Sequence, residues 1–152
     1  MAESVRFEVK GLRELGEAMR LLSAEVANKL AWQATGAAAR VVKKAAVQNI
    51  QSSPAVVSGT LLRSVIVKRM PKSERGELTA EHIVTVRGRG KRTKKGNFTA
   101  GAPYAHLIEF GVPAYDTPAE PFLEPALRDH VHQATEAMKR PLERGIIKDR
   151  AK

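Results

Sequence analysis

The chain has 152 residues, 43% of them hydrophobic, which fits one domain with a packed core and excludes a disordered chain. It carries 26 basic and 16 acidic residues, a formal charge of +10, and no cysteine, which excludes a disulfide framework, a thiolate metal site and a cysteine nucleophile. No apolar run approaches the ~20 residues of a bilayer span, and the opening MAESVRFEVKG lacks the apolar stretch of a secretory signal, so no membrane association is expected.

Residues 4–10 alternate Val5, Phe7 and Val9 with Arg6 and Glu8, which predicts a short strand ended by Gly11. Leu12, Leu15, Met19 and Leu22 then recur at helical spacing. Ser23 is a natural N-cap for a second, long helix reaching about Ile50. Its stripe (Ala27, Leu30, Ala34, Ala37, Ala38, Val41, Ala45) is mostly alanine, which lets another backbone approach closely; a kink at Gly36 is not required. Pro54 and Ser58-Gly59 punctuate the chain. Residues 61–70, rich in β-branched Val65, Ile66 and Val67, read as extended, with a helical turn capped by Ser58 as the alternative for the first few. Residues 71–77 form a polar turn, and residues 78–86 alternate again, so the two segments pair as a β-hairpin or meander.

The positive charge is concentrated. Residues 51–100 hold eleven basic and three acidic groups, whereas residues 101–152 hold seven and eight. The densest run, RGRGKRTKK at 87–95, has six basic residues and no acid. Self-repulsion and two glycines predict a mobile loop over residues 88–100 rather than packed structure. Arg87, Arg89, Lys91, Arg92, Lys94 and Lys95, with Phe98 beside them, are the candidate partner-binding residues. Two readings stand. The cations contact phosphate without reading sequence, with Phe98 and Tyr104 stacking on bases. Or the run is a solvated hairpin tip that orders only against another protein. No helix-turn-helix, zinc-finger or aromatic RNA-binding signature accompanies it.

Five of the seven aromatic residues lie between Phe98 and Phe122. YAHLIEF, residues 104–110, fits a helical turn through Tyr104, Leu107 and Ile108, and equally a strand through Tyr104, His106, Ile108 and Phe110. Gly111 and Pro113 end it either way. The last helix is expected to start at Pro125, ahead of a competing capping box from Thr117 to Glu120. Leu127, Val131, Ala134 and Met138 form its stripe, Pro141 should kink or end it, and residues 143–152 should fray. Phe110 and Phe122 are expected in the core. Gly59 and Gly111 are expected in backbone conformations closed to other residues. The aromatic cluster either fastens the last helix to the sheet or offers a protein surface anchored by Tyr115 and Phe122; the two are compatible. The whole reads as one α+β domain over residues 1–152, a small, mainly antiparallel sheet packed against a long N-terminal helix and a C-terminal helix, with a long basic loop.

Catalytic chemistry finds little support. His130 and His132 lie about 200° apart on a helix and cannot share a metal. Ser58-Gly59 has no nucleophile-elbow context, and the glycines of RGRGKR match no phosphate-binding loop. No catalytic residue, metal or cofactor is expected. The one enzymatic alternative places a site at His106 and Glu109, three residues apart.

Four motifs occur in order: GLREL after the first strand, SGTLLRSV after the long helix, YAHLIEFG after the basic run, and PFLEPAL at the last helix. Together they resemble the HK97 gp10-like family of bacteriophage tail-completion and head–tail joining proteins over about residues 4–140. Gly59, Leu61, Arg63, Tyr104, Phe110, Gly111, Phe122, Leu123 and Pro125 are the motif positions. Family members often have a shorter segment where this chain carries residues 88–100. The resemblance implies a virion structural protein, not an enzyme, made in the host cytoplasm and built into the neck, where the tail meets the head connector. It also implies assembly as a ring, commonly of six subunits, with neighbouring neck or tail proteins as partners. A ring uses two different complementary patches on each subunit. The basic loop of one subunit would then meet the acidic side of its neighbour, with Glu109, Asp116, Glu120 and Glu124 as acceptors. The alternative is that the loop faces DNA in the channel.

Overall fold

The computed structural model describes residues 12–53, 59–71 and 80–151. The strand expected over residues 4–10, the punctuating Pro54 and Ser58, and most of the turn between the two strands lie outside the described residues.

Helix α1, Leu12–Arg20, ends one turn before Ser23, whose side chain accepts the N–H of Val26 at 3.4 Å and so caps α2, Ala24–Ser52. α2 is 29 residues long and is one continuous helix through Gly36. α3, Thr60–Ser64, takes the helical-turn alternative at the start of the segment read as extended. Leu61 is buried, and the fully buried Ser64 donates its hydroxyl to Thr60 O at 2.6 Å. β1, Val65–Arg69, then pairs antiparallel with β2, His82–Val86, in a register running from Val65 opposite Val86 to Arg69 opposite His82. β3, Lys91–Arg92, and β4, Phe98–Thr99, form a second, minimal sheet. α4, Ala105–Phe110, resolves the ambiguous YAHLIEF stretch as helix. A 3₁₀ turn, Pro113–Tyr115, leads to α5, Leu123–Arg150.

α2 and α5 run antiparallel and carry most of the packing. Asn49, near the end of α2, donates to the carbonyl of Phe122 at the start of α5, at 3.1 Å. At the opposite end Leu30 and Ala34 of α2 pack with Leu142 of α5, joined by Leu15 and Met19 of α1. Of the expected stripe Leu30, Ala34 and Ala45 are buried and Ala27, Ala37, Ala38 and Val41 half-buried, while Ala39, Val42 and Ala46 join the buried face; a Cβ at Gly145 of α5 would overlap the Leu30 side chain. The main core gathers Val42, Ala45, Ala46 and Ile50 of α2, Leu61, Val65, Ala102, Ala105, and Phe122, Ala126 and Ala134 of α5. The result is a single α+β domain. No helix among the described residues is long and apolar enough to cross a membrane.

α5 departs from expectation at both ends. It begins two residues before Pro125, and it continues through Pro141 as far as Arg150. An interior proline costs about 3 kcal/mol. Leu142 and Ile146, both buried just beyond it, each contribute about 1.5–3 kcal/mol, enough to carry the helix through. Residues 143–150 are therefore helical where a frayed tail was expected. The segment from Thr117 to Glu120 is not helical, so the competing capping box does not form.

Candidate assembly surface

The basic run is a hairpin, not the unpacked loop that its charge predicted. Lys91 stands opposite Thr99 and Arg92 opposite Phe98. The threonines do much of the holding. Thr99 Oγ1 accepts the Lys91 N–H and donates to the Lys91 carbonyl, both at 2.9 Å, and Thr93 closes the tip through Asn97 and Gly96. Gly96 turns the chain at φ 83°. Two further glycines make the base possible. A Cβ at Gly101 would meet the Gly90 backbone, and one at Gly90 would meet the carbonyl of Thr99. Glycine here permits close strand contact rather than disorder.

Arg87 belongs to that base. Its N–H donates to Ser64 O at 2.8 Å, its carbonyl accepts from Ala102 N at 2.7 Å, and its guanidinium donates to Ala100 O at 3.2 Å. It anchors the hairpin instead of facing a partner. Arg89, Lys91, Arg92, Lys94 and Lys95 are exposed, and Phe98 is 77% exposed beside them.

From Ala102 the chain leads through Pro103 and Tyr104 into α4. Ala105, Ile108 and Glu109 form the inward face of α4. Tyr104, Leu107 and Phe110, each three residues apart, fall on the outward face. Phe110 is 77% exposed and Tyr115, on the next turn, 83%. The expectation that Phe110 is a core residue is thus corrected; the phase of α4 is set by its inward residues. Phe122 is only 2% exposed, as expected of a core aromatic, and so does not serve as a surface anchor.

Glu109 is the main correction to the acidic set. Only 8% exposed, its carboxylate accepts the N–H of Phe122 at 2.8 Å, of Leu123 at 3.1 Å and of Glu124 at 3.1 Å. These are the free donors at the start of α5, and the next residue, Pro125, has none to offer. Glu109 therefore caps α5 through space and is not available to a basic loop. Glu120 accepts a hydrogen bond from the Ser53 hydroxyl, and its N–H donates to Ile108 O at 2.8 Å. Asp116 and Glu124 remain exposed, Glu124 with Arg128 4.0 Å away. His106 is exposed while both oxygens of Glu109 are engaged, so the two do not form a catalytic pair. Among the described residues no group of three or more His, Asp or Glu side chains could hold a metal ion.

The remaining motif residues serve the fold. Gly111 has φ 70°, and a Cβ there would press on Ala119 N and Thr117 O, so glycine is required. Gly59 has φ −65°, an ordinary value, and the expectation of a special backbone there is corrected. Arg63 is exposed, Leu61 is buried, and Leu123 and Pro125 are half-buried on the first turn of α5.

One feature escaped the sequence. Trp32, the only tryptophan, sits edge-on to His82 with ring centroids 5.2 Å apart, and the Arg69 guanidinium lies 3.5 Å from its ring centre. The Thr35 hydroxyl lies 2.9 Å from Ala31 O, and His82 Nδ1 and Thr35 Oγ1 share a hydrogen bond of 2.9 Å. Burial, then the charges of Arg69 and Arg40, hold the His82 pKa below its ordinary 6.5. These residues come from α2, β1 and β2, and only the lone tryptophan on a basic helix could have signalled them.

Two long antiparallel helices backed by a short hairpin, with a basic hairpin and an aromatic face standing out, define a small structural α+β domain. The family model for bacteriophage HK97-gp10-like tail components matches residues 13–111, more than half of the chain, and the protein belongs to that family. As a phage tail component it has its place in the virion. Neither the curated proteins nor the solved structures contain a match.

Proposed function

We propose that the protein completes or joins the tail at the head–tail interface as one subunit of a ring, after synthesis in the bacterial cytoplasm. The observation that carries this is the outward face of α4. Tyr104, Leu107, Phe110 and Tyr115 all stand exposed, shortly after five exposed cations in the sequence, in a family of tail components. Clustered exposed aromatics are the usual anchors of protein interfaces. In a ring each subunit presents two unlike patches, and the hairpin of one subunit then meets Asp116 and Glu124 of its neighbour or of an adjacent neck protein. Native mass, measured alone and with the tail-tube and connector proteins, tests this. Higher-order species are expected, and Leu107→Ser with Phe110→Ser should abolish them without loss of fold. Replacement of the hairpin by a short turn with assembly and tail joining intact would remove the hairpin from the contact.

A second reading rests on the same five cations, Arg89, Lys91, Arg92, Lys94 and Lys95, standing on one projecting hairpin with Phe98 beside them. They are suited to phosphate contact in a DNA channel, and log affinity should then fall by about 0.9 per contact against log salt. Duplex binding lost on their replacement by serine would support it, and no binding at physiological salt would sink it.

A further inference from the structure

The cleft around Trp32 lies apart from the hairpin and α4, at the opposite end of the α2–α5 pair, and is an open groove of about 900 Å³. Five cationic side chains line it from three elements: Lys29 and Arg40 of α2, Arg69 of β1, and Arg140 and Arg144 of α5. Glu25 is its only acid. Among the described residues none of the five cations is within ion-pair distance of a carboxylate. Gly36 opens the floor, since a Cβ there would come within 3.3 Å of the His82 ring. We propose that this cleft is a binding site for an acidic, carboxylate-rich segment of another protein. The proposal is independent of the ring reading.

Three considerations select that occupant. The cations line a concavity from three separate elements, which suits a narrow extended chain better than the broad convex backbone of a duplex. Four of the five are arginines, whose planar forks pair bidentately with carboxylates, and their arrangement on separate walls suits several carboxylates along an extended chain. A second copy of this chain is a poor match. Its acids are outnumbered 26 to 16, and several are already engaged: Glu17 with Arg13, Asp129 with Arg128, Glu136 with Lys139, and Glu109 on the start of α5. The His82 pKa is lowered first by burial, and the further lowering by Arg69 and Arg40 accords with positive charge on this side of the cleft.

The lone tryptophan supplies the readout. Full-length protein titrated with an oligo-glutamate peptide at fixed ionic strength should show a saturable change in Trp32 fluorescence. The exposed residues Arg40 and Arg140 can be reversed together, Arg40→Glu with Arg140→Glu, and apparent affinity should fall about tenfold or more. Serine substitutions at Lys91, Arg92, Lys94 and Lys95 should leave the titration unchanged, and circular dichroism should show each variant folded. The proposal is overturned by the absence of a saturable change, or by the same response to inorganic phosphate. It is equally overturned if a DNA duplex moves Trp32 at lower concentration than the peptide, or if self-association alone produces the change.

Discussion

Glu109 and Phe122 are 13 residues apart, and the carboxylate of one accepts the backbone N–H of the other at 2.8 Å. The same carboxylate takes the next two N–H groups, so α5 is capped by a side chain from α4 rather than by its own flank. Charge-assisted hydrogen bonds contribute about 1.5–3 kcal/mol each, though not additively. Glu109→Ala should therefore destabilise the protein by about 3 kcal/mol. Glu109→Gln keeps an acceptor without the charge and should cost about half of that. Urea unfolding of the two variants checks the order.

Phe110 and Phe122 look alike in the sequence and should behave oppositely. Phe122→Ala opens a cavity in the main core and should cost about 3–5 kcal/mol in thermal unfolding. Phe110→Ala removes an exposed ring and should change stability by less than about 0.5 kcal/mol. Equal losses would mean that the α4 face is covered in solution.

Ala34 stands where α2 meets α5, 1% exposed beside Leu30 and Leu142. Ala34→Leu should overpack that contact and cost about 1–3 kcal/mol, read as a lower denaturation midpoint. The exposed Ala119→Leu is a control expected to change little.

His82 predicts an acid limb in stability. Its folded pKa lies below the ordinary 6.5 because of burial, then Arg69 and Arg40, so the unfolded chain binds the proton more readily. The contribution is complete above 6.5 and is lost as pH falls from 6.5 toward the folded value. His82→Gln should flatten this part of the profile, measured as melting temperature against pH.

What was legible in the sequence was local. Ser23 announced α2 because a cap acts within one turn, and the β-branched run at Val65 to Val67 with the alternation through Val84 announced the sheet. The fate of Phe110 was not legible, because a six-residue helix takes its phase from Ala105 and Glu109, and Glu109 is held by a helix that follows it. In the basic run charge repulsion is visible in the sequence, whereas the fit of Gly90 against Thr99 and of Gly101 against Gly90 is not. The cleft was invisible for the same reason: Trp32, Arg69, His82 and Arg140 are neighbours only after α2, the sheet and α5 have come together.

The pairing of α2 with α5 also sets a timetable. Leu30 and Ala34 find Leu142 more than a hundred residues later, and Asn49 waits for Phe122. Contacts that distant make folding slow, since a long loop must close before they form. On the ribosome, the alanine face of α2 stays without its mate until residues 123–150 have emerged. A nascent chain thus exposes that face until α5 has been made, and a chaperone that shields apolar helices has its longest opportunity there.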